Sequence, residues 1–164
     1  MKTRRFLGTL ALALPLLAAS VASQAQVPQY GANVTLEQAR KAIAAGQAEA
    51  RKNSWPVAIA VVDTAGHLVA FEKMDNTQTA SVMVAQDKSV TAAIYRRSTK
   101  VIQDAVAGGG AGLRFLGLRD ASPVEGGLPI IIDGKIVGGI GVSGVNSDQD
   151  GMVAKAGADA LAAK

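Results

Sequence analysis

Apolar positions along this chain alternate between a helical period and a strand period, and the changes of period mark its elements. Positions 36, 39, 43, 46/47 and 50 repeat at helical spacing behind Thr35-Leu36-Glu37-Gln38, which has the form of a capping box. The pattern predicts a helix from Thr35 to Lys52, ended by Asn53 and Pro56. Val57 to Asp63 is then a β-branched run of buried-strand character. Thr64-Ala65-Gly66 predicts a hairpin turn, and His67 to Lys73 returns as a second strand with His67, Val69, Phe71 and Lys73 on one face.

After the polar segment Met74-Asp75-Asn76-Thr77-Gln78, helical spacing resumes from about Thr79 to Tyr95 through Val82, Ala85, Ser89 and Ala92/Ala93. This helix is rich in alanine and serine, a composition that lets it approach a sheet or another helix closely. Ser98 or Thr99 caps a further short helix through Val106, which Gly108-Gly109-Gly110 terminates. Leu113 to Pro129 reads as loop with a short strand around Phe115 to Leu118. An apolar hairpin follows around the Asp133-Gly134 turn, and a last helix runs from about Asp150 to Ala163. Strands therefore arrive as hairpins, not in strand-helix-strand alternation, which favours a single α+β domain with an antiparallel sheet flanked by helices.

The returning strand of the hairpin carries Gly138, Gly139, Gly141 and Gly144. Glycine weakens a strand, so four in one segment imply that a backbone or a ligand comes close there.

The N-terminus changes the electrostatic picture. Lys2, Arg4 and Arg5 precede an apolar run from Phe6 to Ala19, and Ser23-Gln24-Ala25 offers a small-x-small cleavage site, so residues 1–25 read as a secretory signal peptide and residues 26–164 as the mature domain. Thr3-Arg4-Arg5-Phe6-Leu7-Gly8 also has the look of a twin-arginine signal. A periplasmic or secreted location follows from this reading, with no stable membrane anchor after cleavage. The mature part keeps 14 Lys and Arg against 13 Asp and Glu, a net charge of +1. It has no basic cluster longer than Arg96-Arg97, which argues against nucleic acid as a partner. The absence of cysteine excludes disulfides, thiolate metal sites and cysteine nucleophiles, and an aromatic content of 4% leaves the core to Ala, Val, Ile and Leu.

Few residues remain that can do chemistry. His67 is the sole histidine: it is either a surface residue beside a turn, or a base or axial ligand sharing a strand face with Lys73. Asp148-Gln149-Asp150 suits a hard cation but equally caps the last helix, and it lacks calcium-loop spacing. Neither Gly108-Gly109-Gly110-Ala111-Gly112 nor Gly138-Gly139-Ile140-Gly141 fits a phosphate loop, and Ser143 lacks the spacing of a nucleophile elbow. Lys88, Tyr95, Arg96, Arg97, Thr99 and Lys100 form the densest polar set. One helix face there either presents cations and hydroxyls to an acidic ligand or is simply solvated.

Val61-Val62-Asp63-x-x-Gly66-His67-Leu68-Val69, Met74-Asp75, Ala85-x-x-Lys88-x-x-x-Ala92, Thr99, Gly126-Gly127-x-Pro129-Ile130 and Gly138-x-Ile140-Gly141-Val142-Ser143-Gly144 occur in this order from about Leu36 to Leu161. Together they resemble the GlcG/HbpS family of haem-binding proteins. The resemblance implies a profilin-like α+β fold, assembly into homo-oligomers, commonly octamers, and, for exported relatives, haem binding with haem degradation or redox sensing. It also implies a threonine at the haem iron, which Thr99 matches in position. Threonine is a hard, weak ligand for haem iron, and His67 is chemically the better metal ligand. Arg96, Arg97 and Lys100, close to Thr99 in sequence, are the candidates for pairing with haem propionates. After Gly144 the chain departs from the family pattern, with Val145-Asn146-Ser147-Asp148-Gln149-Asp150-Gly151 where relatives often carry further glycine and an acidic pair.

The sequence thus supports an exported, oligomeric haem-binding protein acting in haem capture, storage or sensing. Two other classes stand beside it: an enzyme acting on a small organic acid or aromatic catabolite through Lys88, His67 or Asp75, and an oligomeric scaffold.

Overall fold

The structure is a computed structural model that describes residues 27–162; the segment read as a signal peptide lies outside them. In chain order the elements are α1 (Leu36–Lys52), β1 (Ala58–Val62), β2 (Leu68–Lys73), α2 (Ser81–Ile94), α3 (Thr99–Ala107), a 3-10 segment (Gly110–Gly117), β3 (Gly127–Ile132), β4 (Lys135–Ser143) and α4 (Ser147–Ala162). The strands form one antiparallel sheet in the order β2-β1-β4-β3, so both hairpins of the sequence pattern are present and β1 joins them through β4. Helices α1 and α4 pack together on one face and α2 lies on the other.

Local chemistry sets the boundaries. The Thr35 side chain accepts from the Gln38 N–H at 3.2 Å and Gln38 Oε1 accepts from the Thr35 N–H at 2.9 Å, the reciprocal capping box expected at the start of α1. At its other end the Trp55 N–H donates to the Ala50 carbonyl and the Ser54 N–H to that of Arg51. This is a Schellman motif with Ser54, at φ +58°, in the position glycine usually fills. Asp133 and Gly134, both at positive φ, make the tight turn between β3 and β4.

The two faces of the sheet are packed differently. Ile59, Val61, Ile130, Ile140 and Val142 meet Ile43 and Val153 in the main core under α1 and α4. Burying each of these side chains contributes about 1.5–3 kcal/mol. The α2 side holds a small cluster of Ala58, Ala60 and Ala85, edged by Phe71. There the glycines of β4 are explained. A Cβ on Gly141 would run into the backbone of Ala85 and Ser89, and one on Gly139 into the backbone of Ser89 and Ala93. Glycine below and alanine or serine above let a helix backbone rest on a strand backbone, so the close approach inferred from the sequence is made by α2.

Three expectations are corrected. The segment placed as loop with a strand at 115–118 is a 3-10 helix through Gly117, because Gly109 and Gly110, at φ +68° and +52°, redirect the chain into a tight turn that packs mainly along α3. The last helix begins at Ser147, three residues before the expected Asp150. The second strand begins at Leu68, not His67, because the β1–β2 ladder is irregular at Val61/Val62 and leaves His67 in the turn.

Candidate functional site

The sequence places its cations and Thr99 at the junction of α2 and α3, and the geometry there follows from how α2 ends. Tyr95 caps the helix, and Arg96, at φ +52°, turns the chain back toward β3. The Arg96 guanidinium lies over the Tyr30 ring, 5.5 Å from its centroid, and the Tyr30 hydroxyl is within 3.0 Å and 3.1 Å of the Ala93 and Ile94 carbonyls. Arg97 donates from Nε to the Tyr95 carbonyl and is otherwise exposed. Lys100 donates to both carboxylate oxygens of Asp104 at 2.9 Å, one turn along α3, and that hydrogen bond is the main force holding its ammonium above the usual lysine range. Arg96 and Lys100 are thus engaged within the chain, and Arg97 is the freest cation of the three.

Thr99 opens α3 and is fully buried. Its Oγ1 accepts from the Gly127 N–H at 2.9 Å, and its methyl sits where a side chain on Gly127 would be, so the pair locks the first turn of α3 onto β3. One residue earlier, Ser98 lines a cleft of about 390 Å³ between β3 and α4. Leu128, Pro129 and Ile131 form its floor, Ala158 and Ala162 its far wall, and Lys155, ion-paired with Asp159, its rim. Sequence reading missed this α4 wall. The signal was present as Lys155, Ala158, Asp159 and Ala162 on one helix face at i, i+3, i+4 and i+7.

His67 stands elsewhere. Its side chain is 81% exposed, with Nδ1 3.3 Å from Asp63 Oδ2. Burial pushes the Asp63 carboxyl up, but the backbone N–H groups of His67 and Ala65, together with the His67 ring, outweigh it and hold the carboxyl below the usual aspartate range. The His67 turn belongs to β2, at one edge of the sheet, and Thr99 sits under β3, at the other. Three strand spacings, about 14 Å, separate those edges, so the two residues of one chain cannot ligate the same iron.

Lys88 and Asp150 answer the remaining sequence questions together. Lys88 is 1% exposed, and neither a solvated nor a ligand-facing helix position. Its Nζ donates to Asp150 Oδ2 at 2.8 Å and to the Val142 carbonyl at 2.9 Å. Asp150, 2% exposed, also accepts from the Val145 N–H at 3.2 Å. Burial pushes the Asp150 carboxyl above its ordinary value, with the Lys88 ammonium pulling it back. This ion pair passes the end of the sheet and ties α2 to α4, and it takes Asp150 from the cation-site reading. Among the described residues no group of three His, Asp or Glu is placed to hold a metal ion.

An antiparallel four-stranded sheet with α1 and α4 on one face, α2 on the other, and a small-residue helix resting on a glycine strand defines the class as the α+β fold that the resemblance implies. Residues 34–159 match the family described as haem-degrading protein HbpS-like, and the chain belongs to that family. It is 44% identical to Protein GlcG of Escherichia coli strain K12 over 101 residues, 62% of this chain and 74% of that one. Its structure is similar to that of a double mutant of Streptomyces reticuli HbpS, with TM-score 0.74, 30% identity and coverage of 92% of this chain and 99% of the other. A PduOC:haem complex shares the fold, with TM-score 0.71 at 24% identity over 79% of this chain and 95% of that one.

Proposed function

We propose that this chain is an exported haem-binding protein, working as a homo-oligomer in haem capture, storage or sensing, and that the cleft between β3 and α4 seats the porphyrin. The carrying observation is an apolar floor with Lys155 at its rim, lined also by Ser98, one residue along the chain from Thr99, in a chain of the HbpS-like family. Leu128, Pro129 and Ile131 offer an apolar bed for one porphyrin face, and Lys155 stands at its rim where a propionate needs positive charge. The solved PduOC:haem complex, on the same fold, supports the ligand class.

Bound haem would supply an iron centre for redox chemistry or storage. The chain's own part is to bury the ring, neutralise the propionates and present a ligand. Thr99 would be the ligand the resemblance implies beside this cleft, although here its hydroxyl is buried and accepts from the Gly127 N–H. His67 is too far across the sheet to serve the same cleft within one chain. The enzyme reading loses one of its three acid-base groups, since Lys88 is sealed in the Asp150 ion pair.

A haem titration of residues 26–164, followed by absorbance, tests the proposal. A saturable, stoichiometric Soret shift is expected, lost in Leu128→Asp and in one of Thr99→Ala and His67→Ala. A non-saturable change, or one indifferent to all three substitutions, refutes it.

A further inference from the structure

At the opposite end of the sheet from the α2–α3 junction, the Schellman turn that closes α1 swings Trp55 beside Arg51. Facing them is the turn after β2. There the Met74 N–H donates to the Val57 carbonyl, and the Thr77 N–H and hydroxyl both donate back to the Met74 carbonyl. The space between is a cavity of about 330 Å³ lined by Arg51, Trp55, Pro56, Met74 and Asp75. It continues into a second hollow of about 340 Å³ through the shared residues Arg51, Met74 and Asp75.

Three observations make this more than a surface dimple. Trp55 and Met74 pack against the main core, so the apolar wall is fixed. The Arg51 guanidinium is tethered at one nitrogen: its Nη2 donates at 2.8 Å to Oε1 of Gln47, a residue only 9% exposed whose Nε2 in turn donates to Glu72 at 2.6 Å. Asp75 lines the same cavity as Arg51, yet the two make no ion pair, and Asp75 has no ion-pair partner among the described residues. A preset cation, an anion left unpaired and an indole wall are thus held apart across a volume suited to a small molecule.

We infer that this cavity binds a free α-amino acid with an apolar or aromatic side chain. Its carboxylate is met by Arg51, its ammonium by Asp75, and its side chain lies on Trp55, Pro56 and Met74. A ligand carrying both charges satisfies both residues, whereas a simple carboxylate leaves Asp75 facing like charge. This inference is independent of the haem proposal.

Trp55 is the only tryptophan of the chain, so its fluorescence reports the site directly. The mature chain is titrated with L-phenylalanine, 3-phenylpropionate and phenethylamine, which carry both charges, the carboxylate alone and the ammonium alone. A saturable fluorescence change with phenylalanine is expected, at least tenfold tighter than with either singly charged analogue. Arg51→Gln and Asp75→Asn, both at exposed positions, are expected to weaken phenylalanine at least tenfold with an unchanged circular dichroism spectrum and unchanged haem titration. No saturable response to phenylalanine, equal affinity for phenylpropionate, or indifference to both substitutions overturns the inference.

Discussion

Replacing Lys88 by methionine isolates what the buried ion pair does. Methionine keeps most of the volume of the lysine stem, so little cavity is created, but the ammonium that serves Asp150 and the Val142 carbonyl is gone. Asp150, 2% exposed, is left with backbone N–H donors alone, that of Val145 among them. Removing one partner of a buried pair costs about 3–5 kcal/mol. That is a large share of the roughly 5–15 kcal/mol by which a domain of this kind is stable. The loss also depends on pH in a set direction. Without Lys88 the folded carboxyl titrates above its unfolded value of about 3.9, so the folded state holds a proton that the unfolded state has released. A group with a raised folded pKa gives stability that is present below the unfolded pKa and lost as pH rises through the folded one. The slope approaches about 1.4 kcal/mol per pH unit. Urea unfolding of Lys88→Met at pH 4 and pH 7 should therefore show a small penalty in acid and the full penalty at neutrality. Adding Asp150→Asn removes the charge while keeping an oxygen for Val145 and an amide for Val142, and should restore most of the loss. A neutral-pH cost below about 1 kcal/mol, or a double variant no more stable than the single one, refutes the reasoning.

Gly141→Ala places a methyl against the Ala85 and Ser89 backbone and should cost about 3 kcal/mol, the upper end for overpacking, read as a lower urea midpoint with an unchanged m-value. Thr99→Val keeps the shape but orphans the buried Gly127 N–H, so about 1–3 kcal/mol is lost, measured in the same way. Asp63, with its folded pKa depressed, contributes stability that is present above the ordinary aspartate value and lost as pH falls through the lower folded one. Asp63→Asn should therefore melt below the parent at pH 7 and close to it at pH 2.5.

The hairpins, the capping box and the small-residue helix were legible because each depends on residues adjacent in sequence. Asp133-Gly134 between two β-branched runs favours a tight turn, and Thr35 with Gln38 favours a helix that starts at Leu36. The glycines of β4 were legible as a demand for close approach, but the approaching group is about 50 residues away in α2, a distance that no local pattern encodes. Lys88 shows the same limit. On a helical wheel it joins Ser89 and Arg96 as a polar set, and only the fold reveals Asp150 behind it. The β3–α4 cleft was missed since its floor reads as an ordinary strand, and its wall is the face of a helix whose packing partner, about 30 residues away in β3, no local pattern encodes.

Pro129 lies in β3, an edge strand, where it pairs with Gly139 and has no N–H to offer outward. At the other edge β2 ends in the exposed charges Glu72 and Lys73. Both flanks are therefore poor templates for a further strand. Copies of this chain crowded together would be guarded against zipping into an open-ended ribbon, and any closed assembly must be built from side-chain surfaces, where its size can be limited by symmetry.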